Sequence, residues 1–306
     1  MDNAAGNEHY PELKKLNTAR NALIYLCRAR NIKKIYLPYF LCDSVSAACE
    51  AAGVAYEQYS IRADFTPDFS QNLSDGQWLY IVNYYGQISN ERITALKKQH
   101  QNIIVDNVQA FFQQPVDGVD TIYSCRKFFG VPDGAYLSTS AELPIALEID
   151  KSAARMRHIL GRYEGSASDY YADFKSNDAA FRELPLKKMS LLTENLLRAI
   201  DYKNAAMTRN RNWNILHNAL GKQNKLRLEC SVGPYAYPYY CQNGMAVKKQ
   251  LSEKKIFVAT LWPNVLQMTG TLEKDYAENI LPLPCDQRYD AQDMEIIIEA
   301  VLKCLD

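Results

Sequence analysis

Between residues 18 and 124, short apolar runs alternate with helix-patterned stretches, and this alternation constrains the fold more than any other feature. Thr18 is placed to cap a helix through "ARNALIYLCRAR", where Ala22, Leu23, Leu26 and Cys27 recur at helical spacing. "KKIYLPYF" follows as a strand stopped by Pro38, then "DSVSAACEAAG" as a helix closed by Gly53, then "VAYEQYSI" as a strand. "WLYIVNYYG" reads as a buried strand ending at Gly86, and "SNERITALKKQHQ" as an amphipathic helix capped by Ser89. "NIIVDNV" and "TIYSC" are further strands. Strands separated by helices require crossover connections, so the pattern predicts an α/β fold on a mainly parallel sheet. Such sheets bind ligands at the carboxyl ends of their strands. Asp106 and the Ser124–Lys127 segment both follow apolar runs, so both are expected on one rim.

Beyond residue 153 the pattern turns mostly helical up to about 220, with "LKKMSLLTENLLRAI" its strongest amphipathic piece. The tail carries strand-like runs at "GPYAYPYY" and "KIFVATLW", a Pro-rich loop "LPLPCDQRY", and a closing helix "AQDMEIIIEAVLKCL". This divides the 306 residues into a large domain, 1–221, and a smaller α+β domain, 222–306. Lys+Arg and Asp+Glu both total 35, without a basic stripe, which argues against nucleic acid and for a small-molecule ligand. None of the eight cysteines forms a C-x-x-C pair, as befits free thiols in a reducing compartment. The opening "MDNAAGNEHYPEL" has no basic region followed by an apolar stretch, and no apolar run is long enough to span a membrane. A cytoplasmic protein is therefore expected. His9, His100, His158 and His217 are far apart and pair with no other ligand type at helical spacing, so no metal site is expected.

The chemistry concentrates in "SCRKFFGVPDG", residues 124–134, and in "IIVDNVQAFF" upstream. An amine at Lys127, beside Arg126, Phe128 and Phe129, is either a solvated charge or a nucleophile sensitised by a cationic neighbour and partial desolvation. Asp106 is either a cap after its strand or a carboxylate facing a cationic ring nitrogen, whose proton it would hold by opposing charge. Ser124 offers a hydroxyl to an anion. The helix start at Thr18, with Arg20 and Asn21 in its first turn, offers backbone N–H groups and a guanidinium. In the tail, Arg288 and Tyr289 are either substrate contacts for a carboxylate or phosphate, or members of a loop salt bridge.

In their order, "TARNAL", "LPYFLCDSV", "NYYGQISNERI", "VDNVQA" and "SCRK…DGAYL" resemble the DegT/StrS-type sugar aminotransferases, a branch of pyridoxal phosphate (PLP) fold type I. The resemblance covers about residues 16–140. It implies that Asp106 contacts the pyridine nitrogen, Gln109 the ring-hydroxyl edge, Ser124 the phosphate, and that Lys127 forms the Schiff base. Tyr85 and Gly86 match the family's tyrosine–glycine pair. Ala19–Arg20 stands where the family carries Gly-Thr, so Arg20 and Asn21 would help build the phosphate cradle. The aromatic expected on the ring falls on Cys42, leaving Phe40 or Tyr39 to replace it, or the thiol itself. The implied activity is transfer of an amino group, from glutamate or a similar donor, to a keto-sugar linked to a nucleotide, for cell-surface polysaccharide or related sugar biosynthesis. A homodimer is implied as well.

Three rivals stand beside this reading. One is a PLP-fold protein that binds the cofactor but runs another reaction, a dehydratase or lyase, or serves regulation. Another is a Ser-x-x-Lys hydrolase with Ser124 as nucleophile and Lys127 as base, against which stands the absence of S-D-N and K-T-G. The third, a plain nucleotide-binding module, lacks both G-x-G-x-x-G and G-x-x-x-x-G-K.

Overall fold

A seven-stranded sheet organises the first half of the chain in a computed structural model that describes residues 6–166 and 168–305. In chain order the elements are β1 (Lys14–Leu16), α1 (Ala19–Ala29), β2 (Lys34–Pro38), α2 (Asp43–Ala52), β3 (Ala55–Tyr59), β4 (Gln77–Val82), α3 (Asn90–His100), β5 (Ile103–Asp106), β6 (Asp120–Ser124) and β7 (Ala135–Ser138). The strand order is β1-β7-β6-β5-β4-β2-β3. Strands β3, β2, β4, β5 and β6 run parallel, while β7 is antiparallel to β6, and β1 antiparallel to β7. Every residue of β5 and β6 is buried, as central parallel strands covered on both faces must be.

The helix boundaries are set by local chemistry. Thr18 Oγ1 accepts the Asn21 N–H at 3.1 Å, and Ser89 Oγ accepts the Arg92 N–H at 3.3 Å. Gly53 ends α2 with φ of 68°, a left-handed conformation that a Cβ would penalise.

The second half contains α4 (Arg157–Glu164), α5 (Tyr171–Ala180), α6 (Leu191–Arg198), α7 (Tyr202–Leu220), β8 (Tyr237–Tyr240), α8 (Gly244–Glu253), α9 (Leu272–Asn279), β9 (Ile280–Leu283) and α10 (Ala291–Leu302). Three sequence expectations are corrected here. The helix expected through "LKKMSLLTENLLRAI" begins only after its Ser190 cap. Residues 187–189 are instead drawn out along β1, with Asn17 N–H bonded to the Lys187 carbonyl and Met189 N–H to that of Lys15. "KIFVATLW" forms no strand: β8 pairs only with β9, and residues 256–262 cross irregularly between two cores. Conversely, "LPLP" is part of a strand. Pro282 lies directly opposite Pro238 in the β8–β9 pair, so two residues without N–H share one position where the ladder needs none.

The main core lies on the large sheet, and a second core collects Trp213, Leu216 and Leu220 of α7 with Tyr237, Leu251, Leu281, Leu283, Met294 and Val301. At its other end α7 contributes Tyr202 and Ala205 to an aromatic cluster with Phe111, Phe128 and Phe129. The second core thus draws on α7 residues that precede position 222. No described helix is long and apolar enough to cross a membrane.

Candidate active site

Strands β5 and β6 are parallel neighbours, with Asp106 in register with Ile122, so their last residues, Asp106 and Ser124, emerge on one rim. There they line a cleft of about 180 Å³ with Thr18, Arg20, Cys42, Tyr80, Gln109, Lys127 and Trp262. Six of the predicted site residues, Arg20, Cys42, Asp106, Gln109, Ser124 and Lys127, are brought together in this way.

Asp106 is only 3% exposed. Its Oδ2 accepts the Tyr80 hydroxyl at 2.7 Å and its Oδ1 accepts the Val108 N–H at 2.9 Å. Burial pushes the carboxyl above its ordinary pKa, while the Lys127 charge, Tyr80 and Val108 pull it down. Each oxygen retains one lone pair for a ligand. Gln109 is oriented from behind, since its Oε1 accepts the Tyr85 N–H at 2.9 Å. Its Nε2 has no partner among the described residues.

Lys127 sits in a single turn closed by the Phe128 and Phe129 N–H groups on the Cys125 carbonyl, both at 3.0 Å. The two phenylalanines do not crowd the amine. Both are buried away in the aromatic cluster, with Phe129 4.9 Å from Phe111 and 5.2 Å from Tyr202, whereas Lys127 is exposed to the cleft. Their role is to anchor the turn. Arg126 lies over the Phe181 ring at 4.5 Å and pairs with Asp178 at 2.7 Å.

One end of the cleft is rich in unsatisfied donors. Thr18 takes the Asn21 and Ala22 N–H groups, but those of Ala19 and Arg20 have no acceptor among the described residues. Arg20 Nη1 donates to the Phe181 carbonyl at 2.8 Å, and its Nε is buried without an acceptor among the described residues. Burial, then neighbouring Arg182, pushes this guanidinium below its ordinary pKa. The Ser124 hydroxyl is likewise unbonded among the described residues, so donors outnumber acceptors, as a phosphate dianion requires.

Other predicted residues stand elsewhere. The Asn21 Nδ2 group bonds to Asn17 Oδ1 and to the Leu184 and Pro185 carbonyls outside the cleft, while its Oδ1 is buried without a partner among the described residues. Phe40 is buried behind Trp262, ring centroids 4.3 Å apart, so it is the tryptophan that reaches the cleft. Tyr85 is fully buried with φ of 54°, and only its backbone serves Gln109. Arg288 closes a local salt bridge to Asp286 at 2.8 Å beside the Tyr289 ring, outside the cleft. Sequence reasoning missed Tyr80, Trp262 and Arg182. Tyr80 was discoverable, because it shares a strand face with Val82, the residue in register with Asp106.

No protein-family model and no curated protein matches the sequence. Solved structures do match. A DegT/DnrJ/EryC1/StrS aminotransferase from Brucella abortus superposes with a TM-score of 0.64 at 15% identity, over 95% of this chain and 85% of that one. NtdA from Bacillus subtilis, with bound cofactor PMP, gives 0.69 at 12% identity, over 95% and 73%. Helicobacter pylori PseC, an aminotransferase involved in the biosynthesis of pseudoaminic acid, gives 0.62 at 15%, over 95% and 85%. The chain has the aminotransferase fold of PLP type I. In that fold the rim holding Asp106, Ser124 and Lys127 is the carboxyl end of the parallel strands, where α/β sheets bind ligands.

Proposed function

We propose that this chain is a PLP-dependent aminotransferase acting on a keto-sugar. The observation that carries the reading is the juxtaposition of a buried carboxylate, Asp106, with the Lys127 amine that acts on its charge, beside a donor-rich anion cradle. When bound, PLP supplies an aldehyde that amines condense with and a protonated ring that draws electrons. Lys127 Nζ would hold the aldehyde carbon and, once released, carry a proton to and from the substrate. Asp106 would oppose the positive charge at the ring nitrogen, and Gln109 Nε2 would meet the ring-hydroxyl edge. The Ala19 and Arg20 N–H groups, the Arg20 guanidinium and Ser124 Oγ would hold the phosphate. Trp262, which lines the cleft together with Cys42, would take the aromatic position at the ring. Arg126 and Arg182, rather than Arg288, line the cleft, and a donor carboxylate or acceptor phosphate would engage them in competition with their partners Asp178 and Asp43. A nucleotide-linked acceptor, glutamate as donor, a polysaccharide pathway, a homodimer and a cytoplasmic location belong to the same proposal.

The test begins with PLP and the purified chain. A yellow absorbance band that borohydride fixes to Lys127, and that Lys127→Ala abolishes, is expected. Ser124→Ala and Arg20→Met should each weaken uptake of PLP more than uptake of pyridoxal, which has no phosphate. Glutamate should then convert the yellow band to a shorter-wavelength one. A protein that never turns yellow refutes cofactor binding. One that turns yellow but answers no common amino donor belongs to the class that binds PLP for another reaction.

A further inference from the structure

Asp106 is held by a residue that no motif suggested. Tyr80 and Asp106 sit on adjacent parallel strands, and the Tyr80 side chain reaches the carboxylate from the same sheet face. Both residues are buried, and the 2.7 Å bond to Oδ2 is the only one that the phenol makes among the described residues. We propose that Tyr80 is the positioning residue for Asp106, fixing its rotamer and its negative charge so that a cationic ring nitrogen in the cleft meets a pre-oriented carboxylate. The assignment to a ring nitrogen rests on the aminotransferase reading; the coupling of the two side chains does not.

The argument is one of satisfaction. A buried carboxylate without donors becomes protonated rather than charged. Val108 N–H satisfies one oxygen through the backbone, and among the described residues Tyr80 is the only side chain that bonds to the other. Burial and then the Asp106 charge push the Tyr80 phenol well above its ordinary pKa, so it stays a neutral donor. The remaining titratable neighbours of the pair are Lys127, whose charge favours the carboxylate, Tyr84 beside Asp106, and Cys42 and Cys49 beside Tyr80. Among the described residues, Lys127 is the positive charge that acts on Asp106, and it stands on the exposed side, where a ligand would engage it.

The experiment follows the Asp106 carboxyl carbon by NMR in ligand-free protein labelled with ¹³C-aspartate, with Asp106→Asn identifying the signal. Tyr80→Phe should raise its protonation midpoint by about one pH unit or more, a tenfold change, because hydrogen bonds to charged groups are strong ones. Incorporating 3-fluorotyrosine at position 80, a stronger donor in the same shape, should lower the midpoint. It carries the test should Tyr80→Phe fail to fold. Midpoints within about 0.3 unit of the parent in either variant overturn the coupling. With PLP added, the pH profile of the yellow band should move in Tyr80→Phe, and an unmoved profile overturns the positioning role. If the parent takes up no PLP, the aminotransferase reading fails with the ring-nitrogen assignment, while the NMR result stands on its own.

Discussion

Arg209 provides the sharpest test of how the turn bearing Lys127 is held. It lies on α7 and is 2% exposed. Nε donates to Gln287 Oε1 at 2.6 Å, Nη1 to the Pro234 carbonyl at 2.8 Å, and Nη2 to the Phe128 carbonyl at 3.3 Å. Its guanidinium also lies 4.5 Å from the Phe128 ring centroid. Arg209→Met would keep much of the apolar stem and delete every one of these bonds. The Phe128 carbonyl keeps the Gln287 amide at 2.7 Å, so two acceptors lose their main donor, each costing about 1–3 kcal/mol. The lost ring contact adds about 1–2 kcal/mol, and relief from burying a charge offsets part of the sum. The net expectation is a loss of roughly 3 kcal/mol. Urea unfolding with linear extrapolation measures it, and amide exchange at Phe128 and Phe129 should quicken in the same variant. A loss below about 1 kcal/mol, or unchanged exchange at those two amides, would show that the turn does not depend on Arg209.

Two further perturbations test the frame of the site. Gly134 has φ of +100°, and an added Cβ would lie 2.9 Å from Thr193 Cγ2 and 3.3 Å from Met189 Cε. Gly134→Ala should therefore lower the melting temperature by at least about 5 °C, and a smaller shift in a thermal melt would mean that this turn relaxes freely. Lys248 is buried, donates to the Ala277 carbonyl at 2.9 Å and to that of Glu278 at 3.3 Å, and burial pushes its pKa down to about 8. The unfolded lysine binds more protons between that value and its ordinary 10.5, so this group's contribution to stability rises with pH across the window. The parent should gain on Lys248→Met by up to about 3 kcal/mol from pH 8 to 10.5, and a flat difference in urea titrations would contradict this.

What could be read from the sequence was what short-range chemistry decides. Thr18, Ser89 and Gly53 end their helices as their residue types require, and the apolar runs before Asp106 and Ser124 are central strands because only fully covered strands can be so apolar. The positions of Asp106 and Lys127 on one rim followed from those strands. Long-range pairing was not legible. Residues 186–189 carry a helical pattern, yet the open edge of β1 captures most of that run, and "KIFVATLW" has strand-forming residues but no strand to meet. The prolines at 238 and 282 argue against a strand until they are seen opposite one another. Phe128 and Phe129 were placed correctly near the lysine, but no local signal says whether a ring points toward an amine or into the core. Nothing in the local sequence marks Arg209, since its partners lie at residues 128, 234 and 287.

Trp262 reaches the cleft from a segment synthesised 135 residues (262 − 127) after Lys127. At ribosomal speeds of about 5–20 residues per second, the amine and its carboxylate exist for roughly 7 to 27 seconds before their aromatic wall is made. During that interval the large sheet has all the strands it needs, yet one side of the cleft is missing. A cleft lined on all its sides therefore exists only once residue 262 has been made, well after the last strand of the sheet.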